Sequence, residues 1–360
     1  MADAFIEHFP TKYWHRLDDG RVRCEVCPQH CTLREGKRGS CFVRMHHKGE
    51  IVLTSYGRSS GFCIDPIEKK PLNHFYPGTR VLSFGTAGCN LSCKFCQNWD
   101  ISKSRQLDTL CGSAMPEELA KTAKQNDCKS LAFTYNDPVI FMEYAIDTAI
   151  AAKEQGIKSV AVSAGYVCDE PRIEFYQHMD AANIDLKAFT EEFYHKICHG
   201  HLQPVLDTLL YLKNETDVWF EITTLLIPDE NDSEAELHNM CQWIAENLGT
   251  DIPLHFSAFH PDFKMLDKGN TPITTLLKAR SIAQSYGLKF VYCGNVFDVD
   301  SDSTYCPNCQ HPVIKRNWYE ISQYHLTSSG NCQHCDQPIN GIFGEYKNGF
   351  GRQRIPVSIG

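Results

Sequence analysis

The 360-residue chain has no apolar run approaching the ~18–20 residues that span a bilayer, so no membrane partner is expected. It also lacks an excess of positive charge: 35 Lys and Arg stand against 44 Asp and Glu, a formal net charge of −9. General nucleic-acid binding needs a basic face, so that class is not expected either. The start, Met1-Ala2-Asp3-Ala4-Phe5-Ile6-Glu7-His8, has no basic stretch followed by an apolar one, which argues against a secretory leader. Low-complexity tracts are missing, and so is any internal repeat beyond a β/α period. With 42% hydrophobic residues, these absences predict a cytoplasmic globular protein.

Cysteine, by contrast, is abundant, with 18 residues. Cytosolic thiols stay reduced, so clustered ones there ligate metals or catalyse more often than they form bridges. Eleven fall into three close-spaced groups: Cys24/Cys27/Cys31/Cys41, Cys89/Cys93/Cys96 and Cys306/Cys309/Cys332/Cys335. The other seven, at 63, 111, 128, 168, 198, 241 and 293, are scattered and read as small hydrophobes.

Residues 1–75 form a turn-rich, cysteine-rich segment that ends in a loop-like stretch over 65–71. From 76 to 300, β-rich apolar runs (80–85, 130–135, 158–163, 181–187, 217–226, 253–259, 288–293) alternate with helical stretches over 116–125, 139–155, 233–248 and 274–286. That alternation predicts an α/β fold with a parallel sheet, arranged as a partial (β/α)6 barrel, with a doubly wound sheet as the alternative. In both, active groups belong at the carboxyl ends of strands. Small cysteine-rich metal-binding modules are expected at both ends, the second over 301–345, followed by a fraying tail over 346–360.

The C-x3-C-x2-C loop of Cys89, Cys93 and Cys96 directly follows a strand-like run and Gly85-Thr86-Ala87-Gly88. Three thiolates can hold three irons of a [4Fe–4S] cube and leave the fourth iron open. S-adenosylmethionine (SAM) can chelate such an iron, and one electron then splits its sulfonium to a 5′-deoxyadenosyl radical. A zinc site borrowing a fourth ligand is the competing reading of the spacing.

The whole segment 85–99 resembles the cluster loop of radical SAM enzymes, and Gln97-Asn98 resembles the branch related to pyruvate formate-lyase activating enzyme. Asp65-Pro66-Ile67-Glu68-Lys69-Lys70-Pro71-Leu72, Thr134-Tyr135-Asn136-Asp137-Pro138, Asn183-Ile184-Asp185-Leu186-Lys187 and Tyr292-Cys293-Gly294-Asn295-Val296 resemble segments of the same relatives. With the cysteine modules at both ends, residues 20–345 resemble the radical SAM enzyme of the AmmeMemoRadiSam system. The resemblance implies a [4Fe–4S] cluster, bound SAM and hydrogen abstraction from an unidentified substrate. It also implies an electron donor such as flavodoxin or ferredoxin, Memo-like and AMMECR-type companions, and a protein as one candidate substrate. A glycyl-radical-enzyme activase is the nearest alternative. A non-catalytic iron–sulfur or zinc electron-transfer or scaffold protein is the alternative of another class.

Within that resemblance Phe95 contacts the adenine edge. Asn136 and Asp137 follow the second strand, where they can accept from the SAM ammonium; Asp137 before Pro138 also reads as a plain helix N-cap. Relatives have Asn-Glu-Pro here, so this carboxylate is one methylene shorter. Gly165, in Ser-Ala-Gly where relatives have Thr-Asn-Gly, lets backbone approach the ligand. Asp185 and Lys187 are two apart and share one face of a strand, near the SAM carboxylate by resemblance or as an internal ion pair. His255 is a candidate for the adenosyl group or substrate, with His260 on the far side of the same strand, and Asn295 is a candidate for adenine.

Cys306, Cys309, Cys332 and Cys335 form C-x2-C-x22-C-x2-C, a four-thiolate site for zinc or rubredoxin-type iron, with a strand-like stretch over 312–321 suited to a hairpin. Two disulfides are the alternative. Cys24, Cys27, Cys31 and Cys41 suit zinc or an auxiliary iron–sulfur cluster, with His30, His46 and His47 as available substitutes.

Overall fold

Short runs buried on both faces are what a parallel sheet requires, and all seven expected runs are strands in the computed structural model, which describes residues 6–359. Residues 1–5, most of the stretch read for a leader, lie outside the described residues. The central sheet holds β1 (Phe62–Pro66), β2 (Arg80–Phe84), β3 (Ser130–Phe133), β4 (Lys158–Ser163), β5 (Ala181–Asp185), β6 (Trp219–Leu226), β7 (Leu254–Ala258) and β8 (Val291–Gly294). Strands β2 to β8 are parallel and lie side by side in chain order. A doubly wound sheet reverses its order at a switch point; this one never does. It is an open, partial barrel whose edges do not pair with each other.

Six helical crossovers join the seven parallel strands, built around α1 (Pro116–Gln125), α2 (Met142–Glu154), α3 (Asp169–Tyr176), α4 (Gln203–Glu215), α5 (Glu234–Asn247) and α6 (Ile273–Ser285). Local chemistry sets their starts. Pro116 is the first residue of α1, where the Glu118 carboxylate accepts the Met115 N–H at 2.7 Å. Ser233 caps α5 by accepting from the Glu236 N–H at 3.3 Å. The six expected β/α units include the crossovers of α3 and α4, whose helices the apolar pattern does not locate.

Two further expectations change. The segment 65–71, read as a loop, begins as the end of β1, which pairs antiparallel with β2 and so belongs to the central sheet. Residues 301–345 contain the expected hairpin as β9 (Pro312–Asn317) and β10 (Glu320–Tyr324), with Thr304–Tyr305 completing a three-stranded sheet. The tail does not fray throughout: β11 (Ile355–Val357) pairs antiparallel with β1. It satisfies an edge that would otherwise expose backbone donors and acceptors. Three residues are too few to display a strand period.

The amino-terminal module is joined to the barrel by a shared core containing Cys24, Cys27, Cys41, Val43 and the barrel side chains. Arg44, only 2% exposed, pairs with Glu143 of α2 at 2.6 Å and donates to the Ile140 carbonyl at 3.0 Å. At the other end, Arg316 is fully buried and donates to the Asn73 carbonyl at 2.7 Å and to Thr304 Oγ1 at 2.8 Å. No helix among the described residues is long and apolar enough to cross a membrane.

His74 ties the same junction. Its Nδ1 lies 2.6 Å from the Asn340 carbonyl and its Nε2 2.6 Å from the Tyr292 hydroxyl, a pattern that suits one neutral tautomer. Burial lowers its pKa to about 4, against the opposing pull of Glu221. As pH falls from 6.5 toward 4, the unfolded chain therefore binds a proton that the folded chain refuses, and stability declines. The expected contribution is about 3 kcal/mol over that window. Urea midpoints of wild type and His74→Gln, compared from pH 7 to pH 4, should converge as acid removes the wild-type advantage.

Candidate functional site

The carboxyl ends of β3 to β8 and the loop after β2 open into one cavity of about 410 Å³. Sheet register builds its floor. Asp185 pairs with Thr223, Thr223 with His255 and His255 with Tyr292, so one row of side chains crosses four strands and lines the cavity. Cys89, Cys93, Phe95 and Cys96 line it from the loop side.

That loop is held from several directions. The Ser92 N–H donates to the Cys198 carbonyl at 2.8 Å, the Lys94 N–H to the Ile197 carbonyl at 3.0 Å, and Asn90 Nδ2 to the Tyr166 carbonyl at 2.8 Å. Gly88 has φ +83°, and a side chain there would put its first carbon 1.9 Å from the Cys41 carbonyl oxygen. Only glycine fits. Gly88→Ala is expected to cost about 2–3 kcal/mol through left-handed strain and displacement of the loop. A fall in melting temperature, together with reduced sulfide content after reconstitution, would check it.

The three thiols suit a cluster. Burial pushes Cys89 up to about 11, with Lys103 opposing. Cys93 is lowered, first by the hydrogen bond from the Cys198 thiol, then, against burial, by the Lys187 and Lys103 ammonium groups. Cys96 Sγ lies 2.9 Å from Ser102 Oγ. At Cys93 two ammonium groups and a thiol donor thus favour negative charge on sulfur, which iron ligation requires. The three sulfurs do not all fall within 4.8 Å of one another, as ligands of a single ion would. A cube binds each at a separate iron.

Phe95 is buried and lines the cavity, its ring 5.9 Å from that of Phe193. Asn136 also reaches the lining, but its side chain is partly committed: Oδ1 accepts the Thr86 N–H at 3.1 Å, and Nδ2 donates to the Gly88 carbonyl at 2.7 Å. It braces the cluster loop from within the cavity lining, with one acceptor position left on Oδ1. Asp137 caps the turn at Pro138–Phe141 through the Val139 N–H and bridges to β4 by accepting from Ser163 Oγ at 3.0 Å and the Ala164 N–H at 2.9 Å. It lines the cavity, and burial raises its pKa. Gly165 is not in the lining. Its φ of +64° turns it toward Ile184 and Thr208, and Ala164 faces the cavity in its place.

Asp185 and Lys187 both line the cavity and form an ion pair. Burial disfavours the Lys187 ammonium, yet Asp185 and Cys93 outweigh it and raise the lysine pKa. The lysine stays charged. His255 lines the cavity, stacks on Tyr292 at 5.0 Å, and places Nε2 2.7 Å from Glu221 Oε2, with no hydrogen bond to Nδ1 among the described residues. Glu221 also accepts the Asn73 and His74 N–H groups, so it anchors the floor. Asn295, in left-handed backbone at φ +58°, is exposed at the cavity edge and donates to the Ala258 carbonyl at 3.1 Å. His260 is exposed and outside the lining.

Several contributors are not singled out as site residues by the sequence. Cys198, read as a plain hydrophobe, sits against Cys93. Lys103 reaches the cavity and donates to the Leu91 carbonyl at 2.8 Å. Lys70 and Tyr135 line the opposite side, both bonded to the buried Asp65 carboxylate at 2.7 Å. Trp318 and Tyr319, at the turn between β9 and β10, complete the wall, so the carboxyl-terminal module is part of the cavity.

In that module the sulfurs of Cys306, Cys309, Cys332 and Cys335 all lie within 4.8 Å of one another, with Cys306–Cys335 at 3.5 Å and Cys309–Cys332 at 3.8 Å. A tetrahedral ion with metal–sulfur bonds of about 2.3 Å sets sulfurs about 3.8 Å apart. The four can hold a metal ion. Cys24, Cys27, Cys31 and Cys41 also come together, around a separate small recess. No disulfide is present among the described cysteines.

An uncharacterized protein of Methanocaldococcus jannaschii is 39% identical over 91% of this chain and 98% of its own length. The pyruvate formate-lyase-activating enzyme of Clostridium pasteurianum is 25% identical over 53% of this chain and 84% of its own. A solved radical SAM methyltransferase from Sphaerobacter thermophilus aligns over 82% of this chain and 80% of that one, with 12% identity and a TM-score of 0.48. Residues 84–241, which contain the three-cysteine loop and the strands through β6, match the radical SAM superfamily. The chain belongs to the radical SAM superfamily.

Proposed function

We propose that the protein is a radical SAM enzyme of the AmmeMemoRadiSam type, with its cluster on Cys89, Cys93 and Cys96. When bound and reduced, that cluster would supply reductive cleavage of SAM and so a radical able to take hydrogen from an unactivated C–H bond. The observation that carries the reading is a charged lysine, Lys187, held by Asp185 in the same cavity as the three thiols. A half-buried ammonium facing a carboxylate makes a charge-assisted contact, so Lys187 is assigned to the SAM carboxylate. Asp137 has acceptor capacity left on Oδ2 for the SAM ammonium. Phe95 and Asn295 border the adenosine region, and His255 presents Nδ1 toward substrate. The carboxyl-terminal thiols hold zinc or a single iron, a structural centre that fixes Trp318 and Tyr319 over the cavity.

Reduction is assigned to a flavodoxin or ferredoxin in the cytoplasm, and Memo-like and AMMECR-type proteins are the proposed companions. Reconstituted, anaerobically reduced protein should convert SAM to 5′-deoxyadenosine and methionine. Release of neither product, alone or with those companions present, would overturn the reading. A scaffold protein would bind no SAM at all, which equilibrium binding distinguishes.

Similarity to the Clostridium pasteurianum activating enzyme supports a second reading, in which the substrate is a glycine of a partner protein. Its mark is a glycyl-radical doublet in the EPR spectrum of that partner. The wall formed by Trp318 and Tyr319 argues for a more enclosed substrate.

A further inference from the structure

We propose that Cys24, Cys27, Cys31 and Cys41 hold a second iron–sulfur cluster, packed against the loop that carries Cys89, Cys93 and Cys96. The four thiols line one recess together with apolar side chains such as Val26, Leu33 and Val139. Three are buried and Cys31 is half-buried. An isolated buried cysteine acts as a small hydrophobe, but every sulfur here faces a backbone donor. The Val26 N–H points at Cys24, the Gln29 N–H at Cys27 and the Arg44 N–H at Cys41, while the Ser40 N–H lies 3.4 Å from Cys31 Sγ. Burial nonetheless raises the Cys24, Cys27 and Cys41 thiols, so these N–H groups oppose desolvation without overcoming it, and bonding to iron would supply the balance. Hydrogen bonds to the sulfurs are also one way a protein tunes an iron–sulfur centre. The Arg44 guanidinium also lies beside Cys24 and Cys41, with the Glu143 carboxylate paired to it.

Spacing separates a cluster from a single ion. A tetrahedral zinc would draw the sulfurs to about 3.8 Å from one another, as in the carboxyl-terminal module. No three of the four amino-terminal sulfurs lie within 4.8 Å of each other. In this they match Cys89, Cys93 and Cys96, as thiolates bound to separate irons should. Gly39 keeps the gap between two of them clear: a side chain there would put its first carbon 3.6 Å from both Cys31 and Cys41 sulfur.

Position suggests the role. The Cys41 carbonyl packs directly on Gly88, the residue before Cys89. Cys31, the half-buried one of the four, adjoins the exposed Ser40. A low-potential one-electron donor can therefore meet the Cys31 edge. One electron would pass from the reduced second cluster, which is thereby oxidised, to the oxidised cluster at Cys89, Cys93 and Cys96. The donor then restores the second cluster. This relay rests on the radical SAM reading; the presence of the second cluster does not.

Anaerobic reconstitution of the full chain with ferrous iron and sulfide tests it by counting acid-labile sulfide, which neither zinc nor a rubredoxin-type iron contributes. Wild type should hold about eight sulfides per chain and the Cys89→Ala/Cys93→Ala/Cys96→Ala variant about four. The reduced wild type should show EPR signals broadened by two interacting clusters, and the triple variant one unbroadened signal. Four sulfides in wild type and none in the triple variant would overturn the proposal and leave the radical reading standing. Four in both would do the reverse. Because the triple variant leaves the amino-terminal thiols untouched, the result does not depend on whether Cys24→Ala folds.

Discussion

Cys93→Ala should reduce SAM cleavage by the reconstituted, reduced protein at least ~100-fold, since even residues behind a metal ligand act on the 10–100-fold scale. Its thiol is the most electropositively placed of the three: Lys187, Lys103 and the Cys198 thiol all favour its charged form. Removing it strips one iron ligand from a set of three, so cluster content and product release should fall together. Cys198→Ala supplies the contrast. It removes a donor to Cys93 but no proposed ligand, so iron should be retained while activity drops by about 10–100-fold. Sulfide content plotted against 5′-deoxyadenosine yield separates these outcomes. If Cys198→Ala loses the cluster as completely as Cys93→Ala, Cys198 is itself a ligand.

That contrast marks how far the sequence could be read. The cluster loop was legible because its three thiols lie within eight residues, and Asp185 with Lys187 because a strand alternates its faces every second residue. The parallel strands announced themselves as short apolar runs, since both faces are buried. Cys198 was silent because its relation to Cys93 exists only after the segment following β5 and the loop after β2 are brought together, and Lys103 because the loop must fold back on itself to bring its ammonium to Leu91. Asn136 shows a subtler limit. Its residue type fits a ligand acceptor, but the Thr86 and Gly88 backbone groups that occupy its amide lie about fifty residues away. The crossover α3 begins Asp169-Glu170-Pro171 and buries only part of one face, which leaves little apolar period to detect. The next, α4, follows a turn in which His199 adopts left-handed backbone.

Cys332→Ala should release the carboxyl-terminal metal and unfold that module while leaving the barrel folded. The module's core is small, formed by Val313, Ile314, Ile321, Leu326 and Ile339 with two of the cysteines and the barrel residues Phe290 and Tyr292. A polar segment of this size cannot hold itself together by burial alone. Structural four-thiolate sites supply apparent binding energies of about 10–16 kcal/mol in small zinc modules, and that energy is folding energy. Its loss should convert one cooperative melting transition into two, the first confined to the module. Limited proteolysis should then cut within 301–345, and one equivalent of zinc or iron should disappear from metal analysis. The consequence reaches the active cavity because Trp318 and Tyr319 form part of its wall. With the hairpin loosened, SAM should still bind, since Lys187, Asp185 and the cluster loop are all carried by the barrel. Productive turnover should fall more than SAM binding does, because water reaches the cavity and the substrate loses one wall. Equal losses of both would mean that the module supports the barrel itself. Unchanged turnover would mean that Trp318 and Tyr319 have no part in enclosing the substrate.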